Sequence, residues 1–113
     1  MLPKKQRIER KYFSQILKTS RRFISPHFLL YIATQENKLP AKFSFSVSKK
    51  VSKKAVGRNL LRRRGYSVIS RHIQDIRPGY FYFFSFKSKP QELSFVELER
   101  EIINLLKDSS MIA

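Results

Sequence analysis

The residues of this sequence most able to do chemistry are a dense run of basic side chains in its central third. Positions 38–73 hold eleven lysines and arginines and not one acidic residue. Like charges packed that closely repel one another unless a polyanion neutralises them. The run therefore predicts a surface for phosphate, with nucleic acid as the favoured partner. Charge alone leaves open a merely solvated basic face, or attraction to an anionic lipid surface.

Four lysines and three arginines within this run lie where a strand is predicted to pass into a helix. A helix N-terminus offers free amide hydrogens to an anion, but lysines at that end are unfavourable when no anion is bound. Planar arginine side chains on the following helix suit paired phosphate oxygens. Asn59 could serve a sugar hydroxyl, a base or a hydrated metal ion, or simply bond or cap the local backbone. The candidate set is Lys49, Lys50, Lys53, Lys54, Arg58, Asn59, Arg62 and Arg63.

Hydrophobic periodicity indicates the elements that must position these side chains. Phe13, Ile16 and Leu17 follow the i, i+3, i+4 spacing of a short amphipathic helix, which we expect to end at residues 25–26, Ser-Pro. Residues 28–33 are rich in aromatic and branched side chains and predict a strand. Positions 42–48 alternate strictly between polar and apolar, as in a strand with one wet and one buried face. The wet face would carry Lys42, Ser44, Ser46 and Ser48.

The second half of the chain predicts a helix, a strand and a helix. From about residue 55 the apolar spacing becomes helical, and we expect an apolar side formed by Val56, Leu60, Leu61, Tyr66, Val68 and Ile69. Residues 80–86 are apolar on both faces, which favours a central strand. Ser94 and Glu97 fit a capping box at the start of the last helix, with Leu93 and Leu98 placed as a hydrophobic staple.

Length and composition favour one domain over residues 1–113, with residues 1–8 as a basic, loosely held arm. The net charge is +16, and a hydrophobic content of 42% is enough for a packed core. There is no cysteine, and the two histidines are far apart, so we expect no metal site on the protein. The longest apolar run is too short to span a bilayer, and the N-terminus lacks the apolar stretch of a signal peptide.

The order of these motifs resembles the protein subunit of bacterial ribonuclease P. The resemblance is carried by residues 46–50, Ser-Val-Ser-Lys-Lys, followed by Ala55, by Arg58-Asn59 and by residues 62–63, Arg-Arg. It extends over nearly the whole chain. Leu60 stands where the family usually has a third arginine. Gly65 and Tyr66 stand where the family's helix usually continues with a leucine or isoleucine and an arginine.

The resemblance implies an α/β (α+β) two-layer sandwich, with a mixed four-stranded sheet and about three helices in the order α-β-β-β-α-β-α. It implies a cytoplasmic subunit that helps remove the 5′ leader from precursor tRNA while the RNA subunit, with Mg²⁺ bound mainly by that RNA, performs the hydrolysis. No catalytic residue, membrane or protein partner is then expected of this chain. The lysines and arginines of the candidate set, with Asn59, would face the catalytic RNA. The leader would lie in a cleft lined by Phe13, Leu17, Tyr31, Lys42, Ser44 and Ser46.

Other functions remain open at this point. A structural RNA-binding protein of ribosomal type would share the charge, the size and the lack of catalytic residues. A helical module for duplex DNA could use the arginines in the major groove, although the strand-rich centre argues against it. A self-sufficient nuclease would need acidic metal ligands, and the acidic residues lie mostly near the C-terminus.

Overall fold

The computed structural model of the chain describes residues 2–35, 39–87 and 94–112, and a mixed sheet lies at its centre. The strands are β1 (Arg21–Ile24), β2 (Phe28–Thr34), β3 (Lys42–Ser46) and β4 (Tyr80–Phe86), in the spatial order β1-β2-β4-β3. Neighbours pair antiparallel except β3 and β4, which are parallel. The helices are α1 (Phe13–Thr19), α2 (Ala55–His72) and α3 (Phe95–Asp108). The expected element order and mixed four-stranded sheet are confirmed.

One face of the sheet forms the main core beneath α2 and α3. The expected alternation along β3 is confirmed, since Phe43 and Phe45 are buried while the polar residues between them lie on the opposite face. The Phe45 ring stacks on Phe84 with 4.8 Å between centroids and 7° between planes. Phe45 and Phe84 are partners in the parallel register of β3 and β4, so the apolar sides of the two strands lie on the same face of the sheet.

Gly65 lets α2 pack closely on β3. A Cβ atom at this position would lie 2.5 Å from the nearest atom of the Phe45 ring. The helix runs through Gly65 without interruption. The next residue, Tyr66, places its hydroxyl 3.3 Å from the Phe45 backbone N–H and accepts a hydrogen bond from it. This contact gives a hydrogen-bond partner to a backbone donor of β3, which is an edge strand of the sheet.

The capping box that begins α3 is confirmed. The Ser94 hydroxyl accepts a hydrogen bond from the Glu97 backbone N–H, and the Glu97 carboxylate accepts one from the Ser94 N–H, both at 3.1 Å. Hydrogen bonding of the Glu97 carboxylate to the Ser94 backbone N–H, and secondarily to the Ser94 side chain, holds the pKa of Glu97 below its ordinary value. The Leu93 half of the expected staple lies outside the described residues. Within the described ranges, no helix is long and apolar enough to cross a membrane.

The first helix is shorter than the sequence predicts. It ends at Thr19 because the next residue, Ser20, takes up an extended backbone. Residues 21–24 then form β1 instead of continuing the helix toward residues 25–26. Pairing with β2 stabilises this strand, and Phe23 packs against the main core. The predicted helix end at Ser-Pro is therefore wrong.

The N-terminal segment also differs from the loosely held arm expected for residues 1–8. Leu2 is buried in the main core, and Ile8 is buried on the opposite side of the sheet. Arg7 forms an isolated parallel β-bridge with Phe43, and the Ile8 backbone N–H donates a hydrogen bond to the Phe43 carbonyl at 3.0 Å. The exposed backbone edge of β3 explains the difference, because it offers hydrogen bonds that this segment takes up.

Candidate nucleic-acid interface

The face of the sheet opposite α2 and α3 carries a row of aromatic and polar side chains. Strand register places Tyr31 beside Phe83, and Phe83 beside Ser44. Tyr31 stacks on Phe83 with centroids 5.5 Å apart, and Phe13 of α1 contacts the same ring at 5.1 Å. All three rings are partly exposed. We call this surface the open face: Phe13, Arg22, Tyr31, Ser44, Ser46 and Phe83.

Helix α1 and the preceding turn cover only one end of this side of the sheet. Ile8 and Ile16 are buried there against Ala33 and Phe81. Tyr12 contacts Phe81 at a centroid distance of 5.1 Å, and Phe81 is only 5% exposed. The boundary between the covered end and the open face therefore falls between Phe81 and Phe83, two residues apart on β4.

The structure brings most of the predicted cleft residues to this side of the sheet. Phe13, Tyr31, Ser44 and Ser46 belong to the open face. Leu17 lies one turn beyond Phe13 on α1 and is 53% exposed. Lys42 pairs in register with Phe81 and therefore lies at the covered end, where its Nζ is 3.9 Å from the Glu9 carboxylate.

Two residues of the open face were not predicted from the sequence. Phe83 lies at its centre, and Arg22 pairs with Tyr31 from the neighbouring β1. The strand that contains Phe83 is apolar on both faces, so its pattern does not tell which aromatic rings face which side. Alternation along β4 groups residues 81, 83 and 85, but only the register with β3 assigns them to the polar side.

The lysines predicted to bind phosphate lie on a structured loop between β3 and α2. In this loop, residues 48–54 and hereafter the basic loop, Val51 and Ser52 are buried and the lysines are exposed. The backbone N–H groups of Val51 and Ser52 both donate to the Ser48 carbonyl at 3.1 Å. Arg58 of α2 donates from Nη1 to the carbonyls of Ser52 at 3.0 Å and of Lys53 at 2.7 Å. The basic loop is thus held in one shape while its ammonium groups project into solvent.

The remaining candidates line the exposed side of α2. Asn59 accepts a hydrogen bond through Oδ1 from Arg62, a role that the sequence did not suggest. Arg58 and Arg62 are one turn apart and share a side of the helix, whereas Arg63 lies about 100° further round. The structure therefore gathers the candidate set into one region, with Arg58 holding the loop and Asn59 orienting Arg62.

Val56 and Leu60 do not face the core, contrary to the sequence interpretation. Val56 is 76% exposed and Leu60 is 42% exposed. The buried stripe of α2 instead runs through Leu61, Gly65 and residues 68–69. Leu60 lies about 100° round the helix from Leu61, so only one of them can face the sheet. The two exposed side chains line a groove beside the basic loop, with a volume of about 800 Å³.

The histidines are bound to glutamates of α3. The Glu101 carboxylate accepts from the Ser25 hydroxyl at 2.5 Å and from the His27 backbone N–H at 2.7 Å, and it contacts His27 Nδ1 at 2.8 Å. Burial raises the pKa of Glu101, but these hydrogen bonds outweigh burial and lower it below its ordinary value. His72 Nε2 lies 2.9 Å from Glu99. Among the residues that the structure describes, no group of three or more acidic or histidine side chains could hold a metal ion.

Comparison with known proteins identifies the family of the chain. The family model for ribonuclease P matches residues 2–110. The ribonuclease P protein component of Carboxydothermus hydrogenoformans is 37% identical over 103 residues, covering 86% of each chain. That of a Picosynechococcus strain is 30% identical over 106 residues, covering 93% of this chain and 90% of the relative.

Solved structures show the same fold. The ribonuclease P protein of Staphylococcus aureus superposes with a TM-score of 0.85 at 19% identity, covering 96% of this chain and 98% of that one. The Thermotoga maritima protein gives a TM-score of 0.82 at 21% identity, covering 90% and 96%. With the family match over nearly its whole length, the chain belongs to the ribonuclease P protein family.

Proposed function

We propose that this chain is the protein subunit of a ribonuclease P holoenzyme and that it assists removal of the 5′ leader from precursor tRNA. One observation carries the proposal. A single small domain presents both a cationic surface, built by the basic loop and α2 from a segment without acidic residues, and a separate row of aromatic rings on an open sheet face. The first surface suits a folded RNA, and the second suits an unpaired strand.

The catalytic RNA would bind the basic loop and the exposed side of α2. The shape of the loop is already fixed by Arg58 and by the buried Val51 and Ser52, so binding need not order it. Lysine ammonium groups would act as point charges, and Arg62 and Arg63 as planar forks for paired phosphate oxygens. The basic side chains of the candidate set, with Asn59, would contact this RNA, and Arg58 would hold the loop as well.

The single-stranded leader would lie on the open face. Partly exposed rings of Phe13, Tyr31 and Phe83 offer apolar surface on which bases stack, which is tolerant of sequence. Ser44 and Ser46 on β3 add hydroxyl groups beside the rings, and Arg22 adds a cation at the other edge of the row. Lys42 and Leu17 would contact the leader only at the margin of this surface.

Hydrolysis of the phosphodiester bond would be performed by the RNA subunit. Mg²⁺ ions bound mainly by that RNA would activate water and stabilise the leaving oxygen. The protein would contribute binding and orientation of the two RNAs, in the cytoplasm, without needing a membrane or another protein. No step of the reaction is assigned to a side chain of this protein.

Reconstitution tests this function directly. The purified protein is combined with a ribonuclease P catalytic RNA and a precursor tRNA at low Mg²⁺, and the position and rate of the cut are measured. We expect faster cleavage at the mature 5′ end than with the RNA alone. A structural RNA-binding protein of ribosomal type would give no specific stimulation, and that result would refute the proposal. Cleavage by the protein without any catalytic RNA would refute the assignment of catalysis.

The salt dependence of binding tests the cationic surface. Arg62→Ala should weaken association with the catalytic RNA. It should also make the slope of log K against log salt shallower by about 0.7 to 0.9, because one phosphate fewer is neutralised. Lys107→Ala is the matched control, because it removes the same charge from an exposed position on α3. An equal change of slope in both variants would remove Arg62 from the interface.

A further inference from the structure

We propose that the groove between the basic loop and α2 receives an unpaired nucleotide of the RNA partner. The base would lie against Val56 and Leu60, and its flanking phosphates would lie against the surrounding cations. The inference rests on the proposed function, because it takes the catalytic RNA as the partner. It adds a site of apolar base contact to a surface otherwise described by charge.

The floor of the groove is apolar and exposed. Val56 and Leu60, at 76% and 42% exposure, lie one turn apart on the same side of α2. Val51 and Leu61 continue this apolar lining toward the core. Exposed aliphatic side chains that adjoin one another in a concave surface mark binding sites more often than isolated ones do.

The rim of the groove is cationic. Among the residues that the structure describes, its lining includes four basic side chains and no acidic one: Lys50, Lys53, Lys54 and Arg64. The lysines belong to the basic loop and the arginine belongs to α2, so positive charge lies on two sides of the groove. An occupant must therefore combine an apolar surface with negative charge on more than one side.

The groove is built into the fold. Gly57 lies at the base of the loop, where a Cβ atom would come within 2.4 Å of Ser52 Oγ. This close approach seats Ser52 against the first turn of α2, and Arg58 donates hydrogen bonds to the Ser52 and Lys53 carbonyls. The wall of the groove therefore keeps its shape without a ligand, which reduces the entropy lost on binding.

An unpaired nucleotide has the chemistry and size that this groove requires. Its volume of about 800 Å³ falls within the range of small-molecule sites. A nucleobase presents a flat apolar face with a phosphate on each side, whereas bases inside a helix have their faces covered by neighbours. The charge of the rim excludes a cationic occupant, and the concave floor is poorly matched to a flat anionic lipid surface.

The groove is distinct from the arginine side of the helix. Leu60 and Arg62 point in directions about 160° apart round α2. Contacts in the groove and contacts with Arg62 would therefore involve different parts of the RNA, with α2 between them.

Removing the apolar floor at constant charge tests the proposal. The variant Val56→Thr/Leu60→Gln should bind a ribonuclease P catalytic RNA about tenfold more weakly, with an unchanged slope of log K against log salt. Val96→Thr is the matched control, since Val96 is an exposed aliphatic residue on α3 at 59% exposure and lies outside both surfaces. Thermal unfolding of each variant verifies that the fold is retained.

The outcomes separate the two proposals. If the wild-type protein neither binds nor stimulates the catalytic RNA, the proposed function and the groove assignment both fall. If the wild type binds and the floor variant binds equally well, the groove assignment alone is wrong. If the floor variant binds phosphatidylserine vesicles more weakly than the wild type while its RNA binding is unchanged, the groove assignment would also be overturned in favour of a lipid surface.

A photo-crosslinking residue at position 60 gives a second readout that does not depend on the floor variant. Irradiation of the complex with the catalytic RNA should join the protein to one or a few nucleotides that are unpaired in that RNA. Crosslinks confined to base-paired segments, or no crosslink in a complex that forms with wild-type affinity, would overturn the proposal.

Discussion

Replacing Phe13 with leucine should weaken the binding of a leader-bearing precursor tRNA far more than that of mature tRNA. Phe13 contacts the Phe83 ring at 5.1 Å on the open face. If one leader base stacks there, removing the ring to alanine would cost about 1 to 3 kcal/mol, and leucine, which keeps apolar contact, should cost the lower end of that range, roughly fivefold weaker binding. Loss of the aromatic pair should cost only about 0.5 to 1.5 kcal/mol of folding stability, so the variant should remain folded.

Two dissociation constants and one control decide the result. Binding of the holoenzyme is measured for a precursor with a single-stranded leader and for the same tRNA without it. Tyr12→Leu is the matched control, because it removes an equivalent ring contact of 5.1 Å, but with the buried Phe81 at the covered end. Equal losses for both tRNAs, or equal effects of the two variants, would assign Phe13 to packing and refute the leader surface.

Three further predictions concern the stability of the fold and of the basic loop. Gly65→Ala should destabilise the protein by about 1 kcal/mol, since crowding of Phe45 at 2.5 Å outweighs the gain in helix propensity, and denaturant unfolding that shows stabilisation would contradict this. Although burial opposes it, hydrogen bonding lowers the folded-state pKa of Glu101, so its ionised form contributes stability that is present above the ordinary value of 4.5 and is lost as the pH falls below it. The unfolding free energies of wild type and Glu101→Gln should therefore converge only below about pH 4.5. A difference that stays constant with pH would exclude this linkage. Arg58→Lys keeps the charge but not the fork to two carbonyls, so amide exchange in residues 48–54 should accelerate and RNA affinity should fall, whereas unchanged exchange would show that the loop holds itself.

The elements that the sequence predicts well are those whose pattern has a single interpretation. Strict alternation over residues 42–48 leaves only one way to place β3 on a core, and its burial follows that pattern. Ser94 and Glu97 satisfy each other within one turn, so the start of α3 depends on no distant contact. Local chemistry determines both features, which is why they can be read without the fold.

The features that the sequence does not predict depend on distant contacts. Phe83 belongs to a strand that is apolar on both sides, and only its pairing with Tyr31 and Ser44 assigns it to the open face. Val56 and Leu60 share helical spacing with the true core residues, so periodicity alone cannot separate them. The hydrogen bonds of Arg58 to the loop require the turn that precedes α2. Local pattern contains none of this information.

A single strand links the two proposed RNA surfaces. Ser44 and Ser46 of β3 belong to the open face, and the chain then enters the basic loop. With a rise of about 3.3 Å per residue, Ser46 and Lys49 are separated by roughly 10 Å at most. A leader on the open face would therefore end close to the lysines that we propose to face the catalytic RNA. Because Phe45 on the same strand packs against Gly65 of α2, a shift of this contact should move both surfaces together. Leader discrimination and catalytic-RNA affinity should then change in parallel in Gly65→Ala, whereas Phe13→Leu should change only the first.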